Sequence, residues 1–232
     1  MAVSTRGTAI CMAAKTPTGA AIVPTAITPA AAAAGVAAGD ATLAIAATTG
    51  IVAGDMVKIP TANTPGATGF PELDGKVFVV GSVGTGTITL RGANITGTTG
   101  TLAATPSLQH WAAADFTCLC LSEFTLNPGS PSTISTATFC DPTASVPSSV
   151  VEAGTINIAG FIDGAAADYK ALIQADLDGV ARNFRITLPN TAVNGYIEFS
   201  GVVSALSYSL PIDGAAGYSA TITLGGKVRH LF

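Results

Sequence analysis

The second half of the chain alternates hydrophobic and polar residues, a pattern that predicts β-strands with one buried face. In "GTINIAGFID", Thr155 and Asn157 alternate with Ile156 and Ile158, and "RNFRITLP" and "YSATITL" alternate in the same way. The polar faces of these strands carry Thr155, Asn157, Asn183, Arg185, Thr187, Ser219, Thr221 and Thr223. We therefore predict a sheet with one apolar face in the core and one polar, nearly uncharged face.

One segment has the period of an amphipathic helix. "AAADYKALIQADLDG" places Tyr169, Leu172, Ile173 and Leu177 at helical spacing. An Asp or Gly stands at its start, and Gly179 occupies the position that commonly ends helices. The predicted helix packs this apolar stripe on the sheet.

Two other runs are predicted as single strands. "DFTCLCLSEF" forms one of them. "YIEFSGVVSALSYSL" is longer than an ordinary strand, and Gly201 within it predicts a bulge or bend at which the faces exchange.

A long loop is predicted from Phe139 to Gly154. Hairpin loops usually have roughly two to five residues, and loops beyond about a dozen are generally functional or disordered. We predict that the loop makes contacts between subunits through Phe139, Asp141, Pro142, Val146, Pro147, Val150, Val151 and Glu152.

The chain divides into three regions. Residues 1–34 are rich in Ala, Thr and Pro and predict an extended arm with one strand, Thr8 to Ala13, that belongs to the main domain. Residues 35–104 contain short alternating runs, such as "KVFVVGSV" and "TITLRG", which predict a small, barrel-like all-β insertion. Residues 105–232 complete the main domain. The predicted fold class is mainly β (α+β), with one packed helix.

The chain has few charges: 10% of its residues, against roughly a quarter in ordinary domains. So neutral a surface favours self-association. The net charge of −4 and only ten scattered Lys and Arg argue against a nucleic-acid binder.

Neither a membrane helix nor a signal peptide is predicted. The most apolar window, "PAAAAAGVAAGDATLAIAA", is made mainly of Ala and is interrupted by Gly35, Gly39 and Asp40. Lys15 ends the first apolar run too early for a signal-peptide core. We expect the chain to stay in the cytoplasm where it is made.

The reactive side chains form no recognisable catalytic or metal site. Cys11, Cys118, Cys120 and Cys140 fit neither a disulfide scaffold nor a zinc site, and we expect them to be buried as small hydrophobic residues. Neither His110 nor His230 stands in a nucleophile motif. The acidic cluster Asp163, Asp168, Asp176 and Asp178 lies mostly at helix ends, where capping is expected. We predict no enzyme activity, cofactor or metal.

The order of these segments resembles that of the major tail tube proteins of long-tailed, siphovirus-type bacteriophages, which are related in fold to the type VI secretion tube protein. The resemblance covers "MAVSTRGTAI" and the chain from Asp115 onward: a strand, a loop with "STISTATFCDP", "AGTINIAGFID", "AADYKALIQADLDG", "RNFRITLP", "GYIEFSGVVSALSYSLPIDG" and "YSATITLGG". The inserted region looks like the small β modules that recur in phage virion proteins.

The resemblance implies a tail-tube-type β-sandwich or barrel in the tail of a virion. Six subunits form a ring, each contributes strands to an inner β-barrel, and stacked rings form the channel for the genome. Implied partners are further copies of the chain, a tape measure protein, a tail terminator and a distal tail protein. DNA passes without specific binding, no membrane is involved, and assembly occurs in the cytoplasm of the bacterial host.

Given this resemblance, we expect the eight polar-face residues to line the channel, the Phe139 to Gly154 loop to stack the rings, and residues 35–104 to project outward. A virion decoration protein or adhesin with β-sandwich domains is the alternative. A hydrolase is a third possibility, which would require a cleft with catalytic groups.

Overall fold

The structure is a computed structural model, which describes residues 8–19, 22–31, 37–46, 48, 50–59, 70, 73, 75–96, 108–127, 129, 131–135, 145–151, 153–188, 195–226 and 228–231. The strands of the first half are β1 (Ala9–Ala13), β2 (Pro24–Pro29), β3 (Asp40–Ile45), β4 (Met56–Lys58), β5 (Val77–Gly84), β6 (Thr87–Asn94) and β7 (Gln109–Trp111). A 3₁₀ turn (Ala113–Asp115) precedes β8 (Phe116–Leu119), β9 (Glu123–Asn127), β10 (Pro131–Ser135), β11 (Ser145–Val151) and β12 (Thr155–Phe161). Helix α1 (Ala167–Asp178) is followed by β13 (Arg182–Leu188), β14 (Gly195–Ser209), β15 (Gly217–Leu224) and β16 (Arg229–Leu231).

The first of the two large sheets among the described residues is antiparallel and has the strand order β8-β1-β13-β14-β15-β12-β9. Strand β16 pairs with the first part of β14. Its two outer strands, β8 and β9, are consecutive in the chain. Leu119 and Glu123 are therefore no more than roughly 14 Å apart, whereas a flat sheet of this width would separate its edges by roughly 29 Å. The sheet is thus curled, and we call it the first barrel.

The alternation predicted for β12, β13 and β15 is confirmed. Ile156, Ile158, Phe184, Ile186 and Ile222 are almost completely buried in one apolar cluster inside the first barrel. The residues between them are partly or fully exposed on the other face. Period-two patterning therefore determines which side of each strand enters the core.

Strand β14 pairs with β13 through its first half and with β15 through its second half. Gly201 has partners on both sides, and a Cβ at this position would lie 2.7 Å from Ile222 Cγ2. The register shifts between Val203 and Ala205, and core packing moves from Val203 to Leu206. The predicted exchange of faces is confirmed, with the bulge located at Ser204 rather than at Gly201.

Helix α1 is confirmed and packs on the apolar cluster through Leu172 and Ala175. Gly179 ends it in the left-handed conformation, with φ of 58°. One member of the predicted stripe differs: Leu177 is 75% exposed. The helix begins after Ala166, which provides no side-chain cap.

The run "DFTCLCLSEF" is two strands, so the prediction of one strand is wrong. The backbone N–H of Cys120 donates to Asp168 Oδ2 on α1 at 2.8 Å, and the N–H of Ser122 donates to Ala159 O at 2.9 Å. These contacts bring the chain out of β8 and into β9, on the opposite edge of the sheet. Asp168 has a lowered pKa, first because of the Cys120 N–H and despite its partial burial.

The cysteine prediction also needs correction. Cys11 and Cys118 are facing residues of β1 and β8 and form a disulfide, whereas Cys120 is an exposed free thiol. Cys140 lies outside the described residues. The bond was not foreseen because it depends on the pairing of two strands that are 107 positions apart.

The second large sheet has the order β2-β3-β6-β5-β4-β7. Ile22 and Leu108, which precede its two outer strands, form a β-bridge with backbone hydrogen bonds of 3.3 and 2.7 Å. This bridge closes the sheet around its own apolar cluster, which includes Leu43, Phe78 and Leu90. We call this sheet the second barrel. It includes β2 and β7, which lie outside the predicted limits of residues 35–104.

The two barrels meet through side chains on the outer face of the second barrel. Along their strands, these residues alternate with residues that point into the second-barrel core. Met56, Val79 and Trp111 form an apolar cluster with Ala13, and Tyr196 packs against it. Trp111 Nε1 also donates to Ala14 O at 3.0 Å. The second barrel is therefore packed directly on β1 and on the first half of β14.

Where one long loop was predicted, Ser145–Val151 forms a strand, β11, which pairs with β10 in a separate two-stranded sheet. Its sequence, "SVPSSVV", is rich in the β-branched residue Val, and a two-stranded sheet has open edges that tolerate Pro147. The prediction of an irregular loop is therefore wrong for these seven residues.

Candidate functional site

A continuous polar face covers part of the outside of the first barrel. The register pairs Thr155 with Thr223 and Asn157 with Thr221 across β12 and β15. Ser219 continues the row on β15 and pairs with Ser207 of β14. Five of the eight predicted channel residues are thus brought together. We call this surface the polar face, with members Thr125, Asn127, Thr155, Asn157, Ser204, Ser207, Ser219, Thr221 and Thr223.

Side chains of the polar face bond to one another across the strands. Thr221 Oγ1 donates to Asn157 Oδ1 at 3.0 Å, and Thr223 Oγ1 donates to Ser204 Oγ at 2.9 Å. The hydroxyls of Ser207 and Ser219 are 2.8 Å apart. These contacts hold short polar groups close to the sheet.

The polar face is almost without charge. Among the residues of β9, β12, β15 and positions 201–209 of β14, all of which the structure describes, Glu123 is the single ionisable group of the Asp, Glu, Lys and Arg types. Strands that face free solvent usually carry Lys and Glu, which also protect them against aggregation. With Glu123 as its one residue of this kind, the polar face has little of that protection.

The other three predicted channel residues, Asn183, Arg185 and Thr187, lie on β13, on the part of the barrel near the second barrel. Arg185 Nη1 donates to Gly54 O of the second barrel. The Arg185 guanidinium also lies 4.4 Å from the Phe116 ring centroid and 5.4 Å from that of Tyr196. Arg185 is therefore a contact between the barrels, and we leave the β13 residues out of the candidate channel surface.

A buried ionic cluster lies beside this contact. Arg229 Nη2 donates to Glu198 Oε2 at 2.9 Å, and Glu198 is only 3% exposed. Burial raises the pKa of Glu198 to about 7, although the nearby guanidinium of Arg229 and, more weakly, those of Arg185 and Arg91 lower it. This carboxyl therefore titrates near neutral pH.

Of the predicted stacking residues, Val146, Pro147, Val150 and Val151 lie in β11, where Val146 pairs with Ile134 and Pro147 with Thr133. Phe139, Asp141, Pro142 and Glu152 lie outside the described residues. The structure therefore places half of this set in the β10–β11 hairpin, and the stacking role stays a prediction.

The histidine within the second barrel has a structural environment. His110 Nε2 lies 2.8 Å from Asp55 Oδ2, and both side chains are buried. Asp55 also accepts a hydrogen bond from the Val52 N–H at 2.9 Å. In the part of the chain that is described, no group of three or more His, Cys, Asp or Glu could hold a metal ion. No described helix is long and apolar enough to cross a membrane.

Sequence reasoning missed the contributions of β9 and β14 to the polar face. Thr125 and Asn127 face Asn157 and Thr155, but the predicted strand "DFTCLCLSEF" ended at Phe124, before both residues. Ser204 forms the bulge, and Ser207 lies beyond it, where alternation counted from Glu198 assigns the wrong face. The small-residue run "SALSYS" was the available signal.

Comparisons with known proteins give similarity at the level of solved structures. No family model matches the chain, and no curated protein matches it. The tail of an empty gene transfer agent particle with C6 symmetry aligns over 50% of this chain and 87% of its own, at 16% identity and a TM-score of 0.39. The virion of a native gene transfer agent aligns over 50% and 89%, at 16% identity and a TM-score of 0.36.

The SPP1 tail tube aligns over 50% of this chain and 68% of its own, at 15% identity and a TM-score of 0.36.

Proposed function

We propose that this protein is a structural, non-enzymatic subunit of a bacteriophage tail tube, in which hexameric rings stack around the channel that delivers the genome. The observation that carries the proposal is the polar face of the first barrel, a four-strand surface whose one charged residue is a carboxylate, Glu123. We assign the channel wall to this face.

The chemistry of the polar face suits the passage of DNA. Clustered Lys and Arg would bind the phosphates with a strength that grows with each contact, and would retain the duplex. A hydrated wall of Thr, Ser and Asn with a weak negative charge makes no such contacts. The five wall residues predicted from sequence are Thr155, Asn157, Ser219, Thr221 and Thr223.

The location of the second barrel is compatible with this assignment. The second barrel covers β1 and the first half of β14, next to β13, whereas the polar face centres on β12 and β15. In the curled strand order, β13 and β12 are three positions apart and lie on opposite sides. The second barrel therefore projects outward when the polar face lines the channel.

Open strand edges provide a means of joining subunits. Strand β9 ends the sheet order of the first barrel, and among the described strands it pairs with β12 alone. Strand addition at this edge would extend the polar face into the next subunit and remove an edge that would otherwise aggregate. We propose that the β10–β11 hairpin, which follows β9 directly, contacts the adjacent ring.

Site-specific thiol labelling tests the channel wall. In a background with Cys120→Ala and Cys140→Ala, Ser219→Cys places a thiol on the polar face and Thr85→Cys places one in the exposed turn between β5 and β6. We expect a bulky maleimide to label both variants in dissociated subunits, but only Thr85→Cys in assembled tubes. Negative-stain microscopy establishes that tubes are present.

Equal labelling of both positions in tubes would contradict the channel assignment. Stable monomers or trimers at all concentrations, which bind capsids or glycans and form no tubes, would instead support a decoration protein or adhesin.

A further inference from the structure

A cleft between the two barrels gathers much of the positive charge of the chain. It has a volume of about 840 Å³, within the range of roughly 300–1,000 Å³ found for ligand pockets. Five of the ten Lys and Arg of the chain line it: Lys15, Lys58, Lys76, Arg182 and Arg229. Of the described lining residues, Glu198 alone is acidic, and Asp178, outside the lining, pairs with Lys15 at 3.9 Å and with Arg182 at 2.8 Å. Basic residues that are scattered in the sequence thus form one site.

The cleft contains buried polar atoms that lack partners among the described residues. Arg182 is 8% exposed, and its Nη2 donates to Asp178 at 2.8 Å while its Nε has no such partner. Arg229 Nη1 and Glu198 Oε1 are also buried and have no hydrogen-bond partner among the described residues. Buried polar atoms are normally satisfied, and the two arginine atoms are donors for which a carboxylate is the best acceptor, whereas Glu198 Oε1 is an acceptor.

Apolar side chains complete the lining. Met56, Val77 and Trp111 contribute from the second barrel, and of these Val77 is partly exposed. The cleft therefore suits a ligand that combines a carboxylate with apolar groups. A DNA strand, which offers phosphates on a polar backbone, does not match this combination.

A segment with these properties lies at the other end of the first barrel. The β14–β15 hairpin ends in a tip, residues 210–216, in which Leu210 is 73% exposed and Ile212 is fully exposed. Asp213 is the one charged residue of the tip. Gly214, with φ of 129°, permits the turn. Two large apolar side chains next to a carboxylate are thus presented to the surroundings.

The tip cannot enter the cleft of its own molecule. Gly225 and Gly226, at the end of β15, line the cleft, whereas the tip precedes the start of this strand at Gly217. The eight residues of β15 separate the two by roughly 25 Å. The tip and the cleft are therefore at opposite ends of one rigid hairpin.

We propose that the hairpin tip of one copy of this chain docks in the cleft of a second copy, with Asp213 as the acceptor for the cleft cations and with Leu210 and Ile212 against its apolar lining. The contact is head-to-tail, which produces closed rings or continuous stacks according to the rotation between copies. This inference rests on the proposed function, since it names a contact by which tube subunits join.

Two complementary variants test the contact. The tip variant is Ile212→Ser with Asp213→Ser, and the cleft variant is Lys58→Glu. Each alone is expected to raise the protein concentration needed for assembly about tenfold or more, because each damages one half of every contact. Mixed together, they retain one intact contact and should form a 1:1 complex in analytical ultracentrifugation at concentrations where neither associates alone.

Matched controls carry the same chemical changes elsewhere. Asp176→Ser with Leu177→Ser repeats the tip change on the exposed end of α1, and Lys170→Glu repeats the cleft change on the same helix. Both controls should assemble like the wild type. Because all the altered side chains are at least partly exposed, the melting temperatures of the dissociated subunits should change little.

The outcomes separate this inference from the proposed function. Suppose that the wild type forms tubes. Normal assembly of the tip variant would then overturn the tip–cleft contact, and so would the absence of a complex in the mixture of the two variants. Either result would leave the tube proposal intact. Suppose instead that the wild type forms other oligomers but no tubes. A 1:1 complex in the mixture of the two variants would then support the contact and overturn the tube proposal.

Discussion

Cys11 of β1 and Cys118 of β8 are joined by a disulfide that spans 107 positions of sequence. The spanned segment contains all six strands of the second barrel. The bond therefore links the two strands of the first barrel, β1 and β8, between which the chain forms the second barrel. Its effect on the unfolded chain is that of closing a very long loop.

We expect the double variant Cys11→Ala and Cys118→Ala to lose about 2–4 kcal/mol of unfolding free energy, because the open chain gains entropy when unfolded. Urea unfolding under oxidising conditions measures the difference. A reductant should lower the midpoint of the wild type to that of the variant, and Cys120→Ala should have no effect. Two free thiols at positions 11 and 118 in the oxidised wild type, detected by mass spectrometry, would contradict the prediction.

Glu198 is expected to make stability depend on pH near neutrality. Burial raises its pKa from 4.5 to about 7 in the folded protein, so its contribution is fully present below pH 4.5 and is lost as the pH rises to about 7. The unfolding free energy should fall over this window by about 3 kcal/mol. In Glu198→Gln, which keeps an acceptor for Arg229, this slope should disappear.

Urea unfolding at a series of pH values gives the slope for each protein. Glu123→Gln is the matched control, because Glu123 is an exposed carboxyl on β9. Its pH dependence should equal that of the wild type, and equal slopes for all three proteins would contradict the role of Glu198.

Local sequence patterns predicted the strands and the helix well. The features that the sequence did not predict depend on contacts between residues far apart in the chain. The alternation in β12 and β15 and the stop at Gly179 depend on neighbouring residues and were confirmed. By contrast, the division of β8 from β9 depends on Asp168, which is 48 positions from Cys120. No local signal indicates that contact.

The candidate site shows the same division. The five wall residues on β12 and β15 were found because each alternates with a core residue, although their function stays a prediction. Arg185 has an identical pattern on β13, but the second barrel covers it through Gly54, 131 positions away. Alternation identifies the face that avoids the core and cannot tell whether another unit covers that face.

Helix α1 offers a direct test of its packing. Leu172 is completely buried against the first barrel, whereas Leu177, five residues later, is 75% exposed. Leu172→Ala should cost about 2–5 kcal/mol of unfolding free energy, since it leaves a cavity. Leu177→Ala removes the same atoms at an exposed site and should change stability by less than about 0.5 kcal/mol. Equal losses in thermal unfolding would show that the helix packs through a different face.

The buried pair of His110 and Asp55 should stabilise the second barrel in particular. His110 Nε2 and Asp55 Oδ2 are 2.8 Å apart, and His110→Ala would leave the carboxyl in an apolar interior, where the Val52 N–H still donates to it. We expect a loss of about 3–5 kcal/mol. The double variant Asp55→Val with His110→Leu removes both polar groups and should lose less than the sum of the two single changes.

Trp111, the single tryptophan of the chain, follows His110 and donates to Ala14 O at the contact between the barrels, so its fluorescence reports on this region. In His110→Ala, the fluorescence transition in urea should precede the loss of far-ultraviolet circular dichroism, because the second barrel opens first. A single transition that coincides for both probes, with additive losses in the double variant, would show that the pair contributes nothing specific to the second barrel.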